Sequence, residues 1–297
     1  MAAPASVCDS LVSVGLPVRN GGATLESAIK SVLTQDHERL ELVISDNAST
    51  DDTETICRDL AASDSRVRYH RQERNIGLVA NIAQTIHLAN GAFFRWISDD
   101  DWLAPQYVSS CLKAFSNDSR LILVTTQINY IKPDGTTHTR LYSGTSLSSN
   151  DPIERFYAVT SYLVDGMPVD PLYGLMRKAK VISIGRTRGK MIREDAVFAT
   201  QLALIGPWGH VPELLANRHL GCERLPVLAR RLGVPVWQAY MPFYLQCRET
   251  LRCIETGNYT PAQRRKARFA VGRMYMRLHY DKVSYRMRKL AQIFAAV

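Results

Sequence analysis

The chain has 297 residues, of which 46% are hydrophobic and 22% are charged, a composition typical of globular proteins with one large core or two smaller ones. This composition excludes the disordered and fibrous classes. No run of about 18 apolar residues occurs, and the first residues, MAAPASVCDS, contain neither a basic nor an apolar segment. The sequence therefore predicts neither a membrane span nor a signal peptide, and we expect a cytoplasmic protein.

The positive charge of the chain is concentrated in its last quarter. Residues 221–297 contain 15 Lys and Arg against 4 Asp and Glu, whereas residues 1–220 contain 22 against 24. This asymmetry predicts a separate basic module over 221–297. The six cysteines never occur at C-x-x-C spacing, which indicates reduced thiols rather than disulfides or a zinc site.

Predicted strands and helices alternate over the first 130 residues. Runs typical of β-strands occupy 11–18, 40–45, 66–71, 92–97 and 121–131. Helical spacing of apolar residues predicts helices over 23–33, through Ile56 and Leu60, and from Gly77 to Ala89. Pro133-Asp134-Gly135 predicts a hairpin turn into 136–141. The alternation predicts an α/β fold, with a doubly wound, mainly parallel sheet and helices on both faces.

Polar clusters follow three of the predicted strands. They are Pro17-Val18-Arg19-Asn20, Asp46-Asn47 and Asp99-Asp100-Asp101. In doubly wound sheets ligands bind at the carboxyl ends of the strands, so we expect the three clusters to converge on one rim. Three adjacent carboxylates repel one another, and a hard divalent cation such as Mg²⁺ or Mn²⁺ would relieve that repulsion. The alternative for the triplet alone is a solvated acidic turn that caps the helix starting near Pro105.

No glycine-rich phosphate-binding loop follows the first predicted strand. Neither G-x-x-x-x-G-K-[ST] nor G-x-G-x-x-G occurs there. The sheet is therefore not expected to hold phosphates as an ATPase or a dehydrogenase does. A nucleotide whose diphosphate is bound through a divalent ion fits the acidic triplet.

Motifs at several separated places carry a family resemblance. VSVGLPVRNGG, LELVISDNASTDDT and RNIGLVANIAQTIHLANGAFFRWISDDDWLAP together resemble the nucleotide-binding half of family 2 glycosyltransferases of the GT-A fold. The resemblance runs in register over roughly residues 11–115, and a later segment extends it to about residue 220. It implies a glycosyltransferase domain over 1–220, with a nucleotide-binding half to about residue 115 and an acceptor-binding half over about 116–220. Residues 221–297 then form a mainly helical basic extension.

The resemblance also implies roles for individual residues. Pro17, with its neighbours Val18 and Asn20, would line the pocket for the base, and Asp46 would hydrogen-bond a base that is uracil, thymine or guanine. Asn75 and Gly77 match the Asn-x-Gly before the helix that passes the nucleotide. Asp99 falls where the family contacts the ribose and Asp100 where it ligates the metal, with Asp101 beside them as a further candidate ligand. Many members carry Asp where this chain has Ser98, which leaves open which of the three aspartates binds the metal.

Two further motifs lie downstream. Glu194-Asp195 begins a predicted helix within 191–206, where acidic residues are also simply favoured by the helix dipole. The resemblance implies that Asp195 is the general base of an inverting enzyme, with Glu194 as an orienting or acceptor-binding neighbour. Arg218-His219 matches a place near the diphosphate, so His219 is a candidate metal ligand; the alternative is a purely structural histidine.

The basic C-terminal stretch has three interpretations. Its helix, begun by Thr260-Pro261, predicts a packed helical cap with a solvated basic side. The first alternative is a face that lies on a membrane surface, with Arg and Lys at anionic head groups. Nucleic-acid binding is not expected, because no recognition motif is present.

The sequence as a whole predicts an enzyme that moves a hexosyl or deoxyhexosyl group with inversion. The donor is a UDP, dTDP or GDP sugar, the acceptor is a hydroxyl of a glycan, a lipid-linked saccharide or a small molecule, and the cofactor is Mn²⁺ or Mg²⁺. One alternative is a polyprenyl-phosphate sugar synthase at the membrane surface. Another is a catalytically idle sugar-nucleotide-binding protein, which the intact acidic motifs disfavour.

Overall fold

A mixed sheet forms the centre of the molecule. The computed structural model describes residues 6–184, 191–221 and 223–295, and their side chains as far as residue 280. The strands are β1 (Val12–Val18), β2 (Leu40–Asp46), β3 (Val67–Arg71), β4 (Phe93–Trp96), β5 (Trp102–Leu103), β6 (Leu123–Ile131), β7 (Thr137–Thr139), β8 (Leu175–Arg177) and β9 (Trp208–His219). The strand order is β3-β2-β1-β4-β8-β6-β9-β5, and β7 pairs with β6.

Helices lie on both faces of this sheet. They are α1 (Gly22–Leu33), α2 (Thr53–Ser63), α3 (Leu78–Leu88), α4 (Tyr107–Asn117), α5 (Pro152–Asp165), α6 (Lys178–Ser183), α7 (Glu194–Ile205), α8 (Leu225–Arg231), α9 (Pro242–Thr256) and α10 (Pro261–Ala295). One core contains apolar residues of α1 and α4 and another contains residues of α3, α5 and α7. The predicted α/β class with helices on both faces and a helical C-terminal part is confirmed.

The direction of the strands differs between the two halves of the sheet. β1 runs parallel to β2 and β4, and β2 runs parallel to β3, as the strand-helix alternation predicts. In the second half β6 and β9 are parallel, but β8 is antiparallel to both of its neighbours and β5 and β7 are antiparallel edge pairs. The sheet is therefore parallel from β3 to β4, the part that contains the strands followed by the polar clusters, and it is mixed beyond β4.

Close packing brings β1 against α3. A Cβ atom at Gly15 would lie 2.6 Å from Phe94 Cζ and 2.7 Å from Thr85 Oγ1, so only glycine fits between the strand and the helix. The run 12–18 is almost completely buried, which explains why it reads as a continuous apolar stretch. This packing places the end of β1 and the start of α3 at the same rim.

The C-terminal helices share a core with the body of the domain. Phe156 of α5 is fully buried in a cluster with Cys247 and Ile254 of α9 and with Val271 and Met274 of α10. The predicted basic extension is thus mainly helical and packed, and its boundary at residue 220 stays a prediction. Among the described residues, no helix combines the length and apolarity that crossing a bilayer requires.

Candidate active site

A single cleft opens at the carboxyl ends of β1 and β4. Its volume is about 790 Å³, and its walls also include the N-terminal ends of α3 and α7, the end of β9 and one side of α8. Most of the residues predicted for the site line it: Pro17, Val18, Asn20, Asn75, Gly77, Asp99, Asp100, Glu194, Asp195 and His219. Asp46 and Asp101 do not.

The loop after β1 is tied to the loop after β2. Asn20 adopts a left-handed backbone conformation with φ 58°, which asparagine tolerates better than most residues. The backbone N–H of Asn20 donates to Ser49 Oγ at 2.9 Å, and the side-chain Oδ1 of Asn20 accepts from the Thr50 N–H at 2.9 Å. These bonds fix one side of the cleft before any ligand binds.

Asp46 lies one layer beneath the cleft surface. Its side chain is completely buried; Oδ1 accepts from Ser49 Oγ at 2.5 Å, and Oδ2 accepts from the Tyr69 hydroxyl at 2.7 Å. In this geometry Asp46 holds the loop after β2, and it does not reach the surface where the sequence prediction places its contact with the base.

Asn47 takes the exposed position beside Asp46. Its Oδ1 accepts from the Ile76 N–H at 2.7 Å and its Nδ2 donates to Asn75 Oδ1 at 2.8 Å, which connects β2 to the segment before α3. Gly77, with φ 87°, completes that segment and needs the conformational freedom of glycine. Asn47 belongs to the strand-end cluster Asp46-Asn47 but is not among the predicted site residues; the signal for it in the sequence is an amide directly after a buried strand end.

The three aspartates are divided between the cleft and the interior. Asp99 and Asp100 line the cleft, and burial together with the charge of Asp100 raises the pKa of Asp99. Asp101 is buried; its Oδ2 accepts from the Ser98 N–H at 3.2 Å and lies 3.6 Å from Arg218 Nε. Burial raises the pKa of Asp101 to about 6, although Arg218 opposes the shift. Asp101 therefore lies outside the lining of the cleft, and its role as a metal ligand stays a prediction.

His219 is fixed next to the acidic motif. Its Nδ1 lies 2.6 Å from the backbone carbonyl oxygen of Asp100. Because that oxygen only accepts hydrogen bonds, Nδ1 carries the proton, and in the neutral ring Nε2 keeps its lone pair. A backbone carbonyl that orients the ring in this way is typical of histidines that bind metals.

The chemistry of these donors suits a divalent ion that is shared with a substrate. Within the described ranges, no three His, Cys, Asp or Glu side chains form a ready metal cage. The two carboxylates of Asp99 and Asp100 line the same cleft, where burial and then the charge of Asp100 raise the pKa of Asp99. Mg²⁺ and Mn²⁺ sites commonly use one or two carboxylates plus phosphate oxygens of a bound nucleotide. The residues present therefore fit such an ion.

The lining of the cleft also includes the acidic pair Glu194-Asp195 and two arginines, Arg193 and Arg218. Glu194 and Asp195 form the first turn of α7, and Arg193, directly before them, has φ 65°. Arg218 packs 3.5 Å above the centroid of the Tyr173 ring and pairs with Asp170. Arg193 was not predicted as part of the site; a single arginine in a helix-start motif gives no signal for a left-handed backbone.

Comparison with known proteins supplies the family. The model of "Glycosyl transferase family 2" matches residues 13–178, more than half of the chain. The chain belongs to glycosyl transferase family 2. The matched range includes the strand-end clusters and the aspartate triplet, and it ends before Glu194 and Asp195.

Curated relatives of this family 2 protein include a synthase and a glucosyltransferase. Chondroitin synthase of Escherichia coli is 28% identical over 218 residues, which is 73% of this chain and 30% of the relative. GalNAc(5)-diNAcBac-PP-undecaprenol beta-1,3-glucosyltransferase of Campylobacter jejuni is 34% identical over 103 residues, which is 34% of this chain and 33% of the relative. The chain thus spans about a third of the length of each of these relatives.

Solved structures agree on the fold of the family 2 domain. TarS of S. aureus in complex with UDP matches with a TM-score of 0.64 and 15% identity, over 87% of this chain and 69% of the TarS chain. A mannosyltransferase of Pyrobaculum calidifontis in complex with GDP-Man and Mn²⁺ matches with a TM-score of 0.58 and 13% identity, over 97% and 81% of the two chains. These likenesses confirm the predicted GT-A fold.

Proposed function

We propose that this protein is a metal-dependent, inverting glycosyltransferase that moves a sugar from a nucleoside diphosphate to a hydroxyl acceptor. The observation that carries the proposal is the meeting of Asp99 and Asp100, at the end of β4, with Asp195, at the start of α7, in one cleft of about 790 Å³. That volume lies within the range of small-molecule sites in proteins.

The proposed reaction is a single displacement at the anomeric carbon of the donor sugar. Asp195, which is exposed in the cleft, accepts the proton of the acceptor hydroxyl as that oxygen bonds to the anomeric carbon. The bond from the anomeric carbon to the diphosphate oxygen breaks on the opposite side, and the nucleoside diphosphate leaves with the electron pair. Attack opposite to the leaving group inverts the configuration.

Asp99, Asp100 and Nε2 of His219 are the groups that would hold the metal ion, with Asp99 also near the ribose. When bound, such an ion neutralises the charge that develops on the departing diphosphate. The hydrogen bond from Nδ1 of His219 to the Asp100 carbonyl oxygen connects the end of β9 to the loop after β4.

For the donor we propose a UDP, dTDP or GDP sugar. Among the structural neighbours, one contains UDP and another GDP-Man with Mn²⁺. Pro17, Val18 and Asn47 line the part of the cleft farthest along the sheet from β9, which makes them the proposed contacts to the base and ribose. The acceptor wall is formed by Tyr173 together with the start of α7.

The test is Asp195→Asn, measured by release of nucleoside diphosphate from a panel of UDP-glucose, UDP-N-acetylglucosamine, a dTDP sugar and GDP-mannose with Mn²⁺. Removing a general base should lower turnover roughly 10²–10⁴-fold. Donor binding, measured by thermal shift, should remain, because Asp195 is proposed to act on the acceptor. Unchanged turnover in this variant would rule out Asp195 as the base.

The matched variant is Asp100→Ala in the same thermal-shift panel. It should lose the stabilisation that nucleotide and Mn²⁺ give together, since ligand binding raises the stability of the folded state. Undiminished stabilisation would contradict the metal role of Asp100. A wild-type protein that binds nucleotide without any turnover would instead favour the idle-binding alternative.

We also propose that the outer face of α10 contacts an anionic membrane surface. Phe269, Met276 and Tyr280 lie on one side of the helix and are 70%, 68% and 72% exposed, whereas the opposite side is buried against α5 and α9. Arg265 and Lys266 flank this outer face and form no ion pair with any described residue. Apolar and basic side chains on one face suit insertion among anionic head groups.

Sedimentation with vesicles tests this contact. The protein should bind vesicles that contain phosphatidylglycerol more tightly than vesicles of phosphatidylcholine alone, and Phe269→Ser with Met276→Ser should weaken that binding at least tenfold. Tyr240→Ser is the control, because Tyr240 is 72% exposed on another element. The contradicting result is a protein that does not bind vesicles but forms dimers, which dissociate when the α10 residues are changed. That result would assign the face to contact with a second copy of the chain.

A further inference from the structure

We infer that helix α9 is the positioning element for the proposed base, and that Gln246 acts through Arg193 to hold the start of α7. The inference rests on the proposed function, since it concerns the placement of Asp195. It gives the C-terminal helices a role in the reaction, although their residues lie outside the range that the family model matches.

The backbone at Arg193 is held in an unfavourable conformation. With φ 65° and ψ 29° it lies in the left-handed region, where a residue with a long side chain is uncommon and its backbone is strained. Such a residue persists only if surrounding contacts fix it. Arg193 is the N-cap residue of α7, so its conformation determines where Glu194 and Asp195 point.

Two side chains of α9 supply those contacts. Arg193 Nε donates to Gln246 Oε1 at 2.5 Å, and its guanidinium lies 5.0 Å from the centroid of the Phe243 ring. Gln246 is fully buried, and its Nε2 lies 3.6 Å from Met274 Sδ of α10. The backbone of Gln246 belongs to α9, and its side chain contacts Met274 of α10. The hydrogen-bond acceptor for Arg193 is therefore held in place by both C-terminal helices.

The residues around Arg193 are held by the same part of the chain. The Ile192 N–H donates to Oε1 of the buried Gln238 at 3.1 Å. Met191 and Val197 pack in one buried cluster with Leu245 of α9. Backbone, side-chain and apolar contacts therefore all bind the entry to α7 to residues 238–246.

The arrangement also sets the charges near Asp195. Burial lowers the pKa of Arg193, and the charge of Asp195 opposes that shift, so the two charges are close enough to interact. Glu194 and Tyr173 line the cleft together with Asp195, and so do the cations Arg193, Arg218, Arg230 and Arg231. Among these cations Arg193 is the one that directly precedes the acidic pair, at the N-cap of α7.

The experiment compares Gln246→Leu with Gln246→Glu. Leucine has a similar volume but accepts no hydrogen bond, so it should release Arg193 and lower turnover of the donor panel roughly 10- to 100-fold, the effect of misplacing a catalytic group by about 1 Å. Thermal shift with UDP or GDP and Mn²⁺ should be unchanged. Glutamate keeps an oxygen for Arg193 Nε and should restore turnover to within about threefold of the wild type.

Gln35→Leu is the matched control for a loss that is merely structural. Gln35 is also buried, just after the end of α1 and far along the chain from α7; it accepts from the Val108 N–H at 3.0 Å and donates to the Ala104 carbonyl oxygen at 2.8 Å. This variant should lose stability but keep turnover per folded molecule. Full turnover in Gln246→Leu, or equal losses in the leucine and glutamate variants, would overturn the inference.

The experiment on Gln246 and the experiment on Asp195 give distinguishable results. If Asp195→Asn keeps full turnover, the base assignment fails whatever Gln246→Leu does. If Asp195→Asn is inactive while Gln246→Leu has full turnover, the base assignment stands and the positioning role of α9 fails.

Discussion

Arg218 offsets the energetic cost of burying Asp101, the last residue of the aspartate triplet. A carboxylate that is taken out of water is strongly destabilised unless a cation or hydrogen bonds compensate it. Arg218 lies between Asp101 and Asp170, above the face of Tyr173, and so compensates two carboxylates at once. With Asp101 turned towards Arg218, the carboxylates of Asp99 and Asp100 are the two that meet the cleft.

His210 is a half-buried ionisable residue, and the shift of its pKa predicts how stability depends on pH. Its Nδ1 lies 3.0 Å from Thr125 Oγ1, and burial lowers its pKa from 6.5 to about 4. The folded state therefore favours the neutral ring. As pH falls from 6.5 towards 4 the unfolded chain takes up a proton that the folded chain does not, so the free energy of unfolding decreases in this window.

The loss attributable to His210 should be smaller than the roughly 3 kcal/mol that the full shift would represent, because the ring is partly exposed. Urea unfolding of the wild type and of His210→Gln at pH 7.0, 5.5 and 4.5 measures it. The variant should lose less stability between pH 7.0 and 4.5 than the wild type does. Parallel curves for the two proteins would show that His210 titrates normally.

At the scale of elements, the first half of the fold could be predicted, because the strands that are buried in the structure are also apolar runs in the sequence. β1, β2 and β4 are buried on both faces, so each appears in the sequence as an apolar run, and each ends in polar residues at the cleft. The predicted bounds of these strands lie within one or two residues of the observed ones. The residues that line the donor side were accessible to sequence analysis for the same reason.

The second half could not be predicted in the same way, because its elements depend on distant partners. β8 has only three residues, too few for a periodic pattern, and its antiparallel direction is set by its position between β4 and β6. Whether an aspartate in a row of three faces the cleft depends on Arg218, 117 positions after Asp101. Likewise the left-handed backbone of Arg193 depends on Gln246, which no local pattern near Arg193 indicates.

At the scale of the whole molecule, the core that α5 shares with α9 and α10 predicts the result of truncation at residue 220. Removing 221–297 would expose Ile153 and Phe156, which are 4% and 0% exposed, and would leave the entry to α7 without its contacts. Exposing these two side chains alone costs about 3–6 kcal/mol, a large part of the 5–15 kcal/mol by which folded domains are typically stable. We expect fragment 1–220 to lack a cooperative urea transition, followed by circular dichroism, whereas the full chain has one. A fragment that unfolds cooperatively and binds UDP or GDP with Mn²⁺ as the full chain does would instead establish 1–220 as an independent domain, with α9 and α10 as an addition to it.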